Sequence, residues 1–192
     1  MKLIGSTTSP FARRIRIWAL KNHADIQFEN LDIFSLADRQ VMINNNPARK
    51  IPILVDNQHT ITDSNTIIRY LLNKNKLPSL SWQHENLLTT INACNDSLVE
   101  VLLCQRSGFD THSDKLFFNL QNERIVETLS YLNNHLTDNE FNSCEYLSIS
   151  LYCLLDWICF RELIDLTPFN KLIEFHQAYN LQEVAKQTDP RI

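Results

Sequence analysis

Glycine is almost missing from this chain: 192 residues contain two. Turns and helix ends that need a left-handed backbone must use other residues, and asparagine tolerates that conformation best. The five cysteines (Cys94, Cys104, Cys144, Cys153, Cys159) make no CxxC pair and no metal-ligand spacing, and their number is odd. Neither a disulfide framework nor a zinc site follows, and buried free thiols in a reduced, cytoplasmic protein are the simplest account. The six histidines are scattered without an HxxxH pair, so they too offer no metal site. A net charge of -4 leaves no polybasic footprint, which argues against nucleic acid or an anionic membrane as the main partner. The most apolar stretch, residues 147–160, is too short for a membrane span and carries Asp156. The apolar run after Lys2 ends within a few residues and is no secretory signal. Residues 110–114 form a polar cluster without the length or the glycine of a calcium loop and read as a solvated connection. There is no internal repeat and no low-complexity tract.

What is present is an ordinary globular balance, 44% hydrophobic and 21% charged, at a length that fits one large domain or two small ones. Lys2-Leu3-Ile4 reads as a strand, and small hydroxyl residues then turn the chain into Ser9-Pro10-Phe11. Pro10 suits the first turn of a helix, where its missing N–H costs nothing. Phe11, Ile15, Trp18 and Ala19 recur at helical spacing with Arg13, Arg14 and Arg16 between them, and Lys21-Asn22 closes the helix with Asn22 as a left-handed cap. Residues 25–32 read as a second strand, followed by a polar helix through Arg39 and Met42 that ends at Asn44-Asn45-Asn46-Pro47. Ile51-Pro52-Ile53-Leu54-Val55 and Thr60-Ile61-Thr62 flank a tight polar turn, Asp56-Asn57-Gln58-His59, so a β-hairpin is expected. Asp63-Ser64 then precedes the helical stripe Ile67, Ile68, Leu71, Leu72.

The order β-α-β-α-β-β-α suits a four-stranded mixed sheet with helices on both faces. After residues 73–81, around Pro78, no strand signal survives. Long apolar stripes run through Leu87–Leu102 positions and Ile125–Leu136 positions, and residues 147–161 are apolar on nearly every side, the mark of a buried helix. Another helix follows Pro168. The expectation is therefore an α+β, two-domain chain: an α/β domain over residues 1–75 and an all-helical domain over residues 82–192.

Ser9 invites two readings. It is a favoured helix N-cap, and it also stands where unpaired backbone N–H groups and the helix dipole would stabilise an anion such as a thiolate. Three points of the first domain look purposeful together: Ser9 after the first strand, Pro52 at the head of the third, and Asp63-Ser64 after the fourth. In this topology such turns converge on one edge of the sheet.

Ser9-Pro10-Phe11 with Arg14, Asn46-Pro47-Ala48-Arg49-Lys50-Ile51-Pro52-Ile53-Leu54 and Ile61-Thr62-Asp63-Ser64-Asn65-Thr66-Ile67-Ile68-Arg69-Tyr70-Leu71 together resemble the glutathione S-transferase superfamily. The likeness is to its serine-type, small bacterial or tau-like members, and it covers about the first 75 residues. It implies a thioredoxin-like N-terminal domain, a helical C-terminal domain, glutathione as cosubstrate, a small hydrophobic electrophile as second substrate and a homodimer. It also implies a role for each matching residue. Ser9 would donate its hydroxyl hydrogen to the glutathione sulfur, with Phe11 beside it. Pro52 would be cis, so that Ile51 turns its main chain toward the cysteinyl unit. Asp63 and Ser64 would hold the γ-glutamyl end, and Lys50 the glycyl carboxylate. For Asp63-Ser64 a plain helix cap is the other reading, and for Lys50 a solvated side chain.

The slot that holds Cys-x-x-Cys in thioredoxin-type reductases holds Ser9-Pro10-Phe11-Ala12 here, so dithiol exchange at this turn is excluded. Two departures from the family pattern stand out: Arg49 occupies a slot where glycine is frequent, and Glu145-Tyr146-Leu147-Ser148 replaces the usual Ser/Thr-x-x-Asp box, leaving Ser143 or Ser148 as the expected cap. Asp156 and Arg161 read as polar groups tying helices together, with a place at the electrophile pocket as the other reading. Rival functions are a transferase-like regulatory or binding protein without useful turnover, and a glutathione-dependent peroxidase or lyase.

Overall fold

The computed structural model describes residues 1–32, 35–137 and 139–192. Short segments separated by polar turns give β1 (Lys2–Gly5), α1 (Pro10–Lys21), β2 (Gln27–Asn30), α2 (Leu36–Asn45), β3 (Ile53–Asp56), β4 (His59–Thr62) and α3 (Ser64–Lys74). The expected βαβαββα order is the order found. The four strands form one mixed sheet in the order β2-β1-β3-β4, with β2 parallel to β1 and the other pairs antiparallel. Strand alternation sorts the core: Ile4 and Ile53 face Leu31 and Met42, with Val41 and Ile51 packed around them. Leu3 and Leu54, paired across β1 and β3, are buried on the opposite face, where α1 and α3 pack on the sheet and on each other. Each such side chain contributes about 1.5–3 kcal/mol when fully buried.

Helices alone follow: α4 (Trp82–Arg106), α5 (Leu116–His135), α6 (Asn139–Ser143), α7 (Glu145–Arg161), α8 (Asn170–Asn180) and α9 (Glu183–Gln187). α7 is buried nearly throughout, from Tyr146 to Ile158, as its all-round apolar sequence requires. Its N-cap is Cys144, without a side-chain cap bond. Neither expected serine takes that place, and the Ser143 hydroxyl instead meets His84 Nε2 at 3.2 Å. α4 is, among the described residues, the one helix long and apolar enough by length and composition to cross a membrane; here it packs against α5 and α7.

The chain divides into two units, Met1–Leu80 with Tyr179–Ile192, and Ser81–Ala178. The sequence reading leaves residues 179–192 in the helical region; the structure returns them to the sheet-containing unit.

The scarcity of glycine is met differently from expectation. Asn22 keeps φ −100 at the end of α1, and the left-handed residue is the next one, His23, at φ 50. The Asn22 amide donates to Trp18 O at 2.9 Å, so the asparagine serves by closing a free helix carbonyl. α3 ends in the same way: Asn75 donates to Leu71 O at 2.8 Å and Lys76 takes φ 55.

Within this unit the Asp56 carboxylate, almost fully buried, accepts from Tyr70 Oη at 2.6 Å and pairs with Lys74, tying β3 to α3. The hydrogen bond from Lys74, then that from Tyr70, hold the Asp56 carboxyl below its ordinary 3.8; the same bond to Asp56 holds Lys74 above 10.5. The carboxylate's contribution is therefore present above pH 3.8 and fades as acid carries the solution through the lowered value; that of Lys74 fades only above 10.5. In urea unfolding between about pH 2 and pH 7, the stability difference between wild type and Asp56→Asn is expected to shrink on acidification. A difference constant over that range would remove the network from the acid limb.

Candidate functional site

The antiparallel register builds one edge of the sheet. Ile4 lies opposite Ile53, and Ile53 opposite Thr62. The chain leaving β1, the chain entering β3 and the chain leaving β4 therefore meet at the same end. Ile51-Pro52 and Asp63-Ser64 adjoin those strand ends directly, and Ser9 follows β1 after the turn at residues 6–8, so the three turns converge on one edge.

Ser9 is reached through a turn held by hydroxyls. Ser9 N donates to Ser6 O at 3.0 Å, Thr8 N to Ser6 Oγ at 3.4 Å, and Thr7 N to Asn30 Oδ1 at 2.9 Å, which anchors the turn to the end of β2. Ser9 is the N-cap of α1: its Oγ accepts from Ala12 N at 3.3 Å, and Pro10 fills the first helical turn. A hydroxyl that accepts from the backbone still has its hydrogen to donate. The cap reading and the donor reading of Ser9 are thus compatible. Gly5 lets α1 come this close to β1, because a Cβ there would lie 2.8 Å from Ala12 Cβ and 4.0 Å from Pro52 Cβ. Phe11 is half-buried, with the buried Arg14 guanidinium 4.9 Å from its ring centroid.

The second turn is organised by Asn46. Its side chain donates to Lys50 O at 2.7 Å and accepts from Ala48 N at 3.0 Å. Lys50 is exposed, Ile51 rests on the core, and the Ile51–Pro52 peptide bond is cis. Arg49 sits at φ 55, the left-handed region that favours glycine. This gives the frequent family glycine a physical reason and shows that arginine here is strained. Arg49→Gly is expected to stabilise the protein by about 1 kcal/mol in urea unfolding; a destabilised variant would show that the Arg49 side chain earns its place by contacts.

At the third point Asp63 has φ 72 and ψ 132, a costly backbone for any residue with a Cβ. Its Oδ1 accepts from Asn65 N at 2.9 Å and Thr66 N at 3.1 Å, so it caps α3. The cap uses one carboxylate oxygen and leaves Oδ2 for another partner. Ser64, the first residue of α3, is buried. Sequence reading missed the burial of Arg13, which lies on the same helix as Ser9 and bonds to α9; helical periodicity gives no sign of a partner so distant in sequence. Among the described residues no group of three or more His, Cys, Asp or Glu could hold a metal. A cleft of about 380 Å³ lies elsewhere, lined by α5 residues such as Ser130 and Asn133 with Asp165 and Phe169, and contains none of these residues.

Residues 3–79 match the model of the glutathione S-transferase N-terminal domain. Residues 3–79 are thus a domain of the glutathione S-transferase N-terminal type. It is 27% identical over 207 residues to the uncharacterized GST-like protein YibF of Escherichia coli K12, covering 100% of both chains. Two solved transferase structures share the fold beyond the matched domain. One, from Methylobacillus flagellatus with glutathione bound, has a TM-score of 0.81 at 20% identity, covering 97% of this chain and 98% of its own. The other, from Pseudomonas fluorescens Pf-5 with bound glutathione, has a TM-score of 0.81 at 20% identity, covering 100% and 99%. The domain matched by that model is thus the unit in which Ser9, Pro52 and Asp63-Ser64 share an edge.

Proposed function

We propose that this chain is a serine-type glutathione transferase, in which Ser9 favours the thiolate of bound glutathione for attack on a small hydrophobic electrophile. The observation that carries the reading is Ser9 at the N-cap of α1, accepting from Ala12 N at 3.3 Å with its hydroxyl hydrogen left to give. The tripeptide lies along the sheet edge. Ile51, before cis-Pro52, offers its main-chain N–H and C=O to the cysteinyl unit. Asp63 takes the γ-glutamyl ammonium through Oδ2, and Ser64 with the first N–H groups of α3 takes the γ-glutamyl carboxylate. Lys50, exposed at the end of the Asn46 turn, pairs with the glycyl carboxylate, and Phe11 borders the sulfur.

The energetics are adequate. A free thiol has a pKa of about 8.5, and lowering it by about two units takes roughly 2.7 kcal/mol. One charge-assisted hydrogen bond supplies about 1.5–3 kcal/mol and a helix N-terminus about 0.3–1 more. The thiol proton leaves to solvent, the sulfur forms a bond to the electrophilic carbon, and the leaving group departs with its electron pair. Glutathione is the cosubstrate, and the protein is a cytoplasmic homodimer in this reading.

Retention on immobilised glutathione, with free glutathione eluting the protein, followed by conjugation assays against a panel of electrophiles, tests the proposal. Retention with turnover supports it. No retention at all would move the chain to a binding or regulatory role on the same fold.

A further inference from the structure

We infer that Arg13 is a positioning residue for Ser9 and that the C-terminal segment, residues 179–192, is the brace that holds it. The inference rests on the role proposed for Ser9. Arg13 is 3% exposed, although it lies on a short helix near the surface turn. Its Nε donates to Thr188 Oγ1 at 3.2 Å and its Nη2 to Ala185 O at 3.0 Å. A guanidinium presents its donors in a fixed planar fork, so two acceptors from one short segment tie that fork to residues 185–188. Thr188 is prepared for this contact. Its hydroxyl donates to Val184 O at 2.8 Å, which fixes the hydrogen and turns a lone pair toward Arg13.

The segment touches α1 at both ends. Tyr179, 5% exposed, receives the Lys21 ammonium 5.7 Å from its ring centroid at the last turn of the helix, while Ala185 and Thr188 meet Arg13 in the first. From residue 13 to residue 21 a helix rises about 12 Å, so the brace runs along α1 opposite in direction to it. What it secures is the turn that carries Ser9. Arg13 N closes the first helical hydrogen bond on Ser9 O at 3.0 Å, and Ala12 N bonds Ser9 Oγ. A first turn with few internal bonds frays unless something outside it holds it. Arg13 supplies that hold one turn from the hydroxyl, so the brace sets how steadily Ser9 aims its hydrogen. Thiol activation then depends on residues 179–192, while the Asp63-Ser64 and Ile51 contacts that bind the tripeptide do not.

Three variants and two measurements test this. Arg13→Met removes the fork, and Thr188→Val removes the acceptor at a position far from Ser9 in sequence; Thr188→Ser keeps the hydroxyl and serves as the rescue. Amide hydrogen exchange needs no glutathione. The Ala12 and Arg13 amides are expected to exchange faster in Thr188→Val than in wild type and Thr188→Ser. With glutathione added, the ultraviolet absorbance of the bound thiolate against pH gives its midpoint. That midpoint is expected to rise by roughly half to one pH unit in Arg13→Met and Thr188→Val, with kcat/KM at neutral pH down about 3- to 10-fold and the KM for glutathione little changed. Unchanged exchange and an unchanged midpoint in folded Thr188→Val overturn the inference, as does a loss that falls on KM alone. Faster exchange in Thr188→Val, combined with no thiolate band in wild type, would leave the brace standing and remove the proposed role of Ser9.

Discussion

Replacing Ser9 by alanine is expected to lower kcat/KM for conjugation at neutral pH by roughly 10- to 100-fold, with retention on glutathione nearly intact. The size follows from one charge-assisted hydrogen bond, about 1.5–3 kcal/mol, lost where charge resides on sulfur. The loss carries a pH signature. Without the donor, the bound thiol titrates closer to its free value of about 8.5, so the deficit shrinks as pH rises toward that value. The same change also deletes the cap bond to Ala12 N at 3.3 Å, worth about 1 kcal/mol of stability. Ser9→Asp separates the two effects. Aspartate caps a helix as well as serine, but its carboxylate repels a neighbouring thiolate, so stability should persist while activation is lost. Turnover in Ser9→Ala equal to wild type would take Ser9 out of the chemistry and leave it a cap.

Asp156→Ala should be among the most destabilising single changes in the helical unit, costing about 3 kcal/mol. The Asp156 carboxylate, 2% exposed, lies in the middle of α7 and meets His176 Nε2 of α8 at 3.0 Å; the His176 ring stacks on Tyr152 at 5.7 Å. Removing the carboxylate orphans the imidazole and opens a gap in the most buried helix of the chain. For a protein of this size that corresponds to a melting temperature lower by about 6–12 °C. A double-mutant cycle with His176→Ala measures the coupling directly, and a value near zero would assign the loss to packing alone. Asp156 thus ties α7 to α8, as a carboxylate within an otherwise apolar helix suggests.

The sheet was legible in the sequence because β1 and β3 are short apolar runs, β2 and β4 alternate around Phe28 and Ile61, and polar turns bound all four. The sheet edge was legible for a related reason. Once the strand order is known, Ser9, Pro52 and Asp63-Ser64 must stand at strand ends, and antiparallel pairing of β1, β3 and β4 does the rest. Gly5 was not legible: its need arises from Ala12 Cβ pressing within 2.8 Å of where a side chain would begin, a contact that no local pattern contains. His23 and Lys76 took the left-handed positions because Asn22 and Asn75 were engaged with carbonyls one turn back. The Arg13 contact spans 175 residues, and α9, at five residues, is too short to carry an apolar stripe. Such features are settled by tertiary contacts between distant segments, where periodicity is silent.

The return of residues 179–192 to the first unit orders events during synthesis. Residues 1–80 emerge from the ribosome before residues 179–192, with the sheet and three helices complete, yet the Arg13 guanidinium has no Thr188 to meet until the whole helical unit has followed. Through that interval the Arg13 guanidinium lacks its Thr188 and Ala185 acceptors. Synthesis of residues 179–192 is therefore the closing step of the unit that residues 1–80 begin.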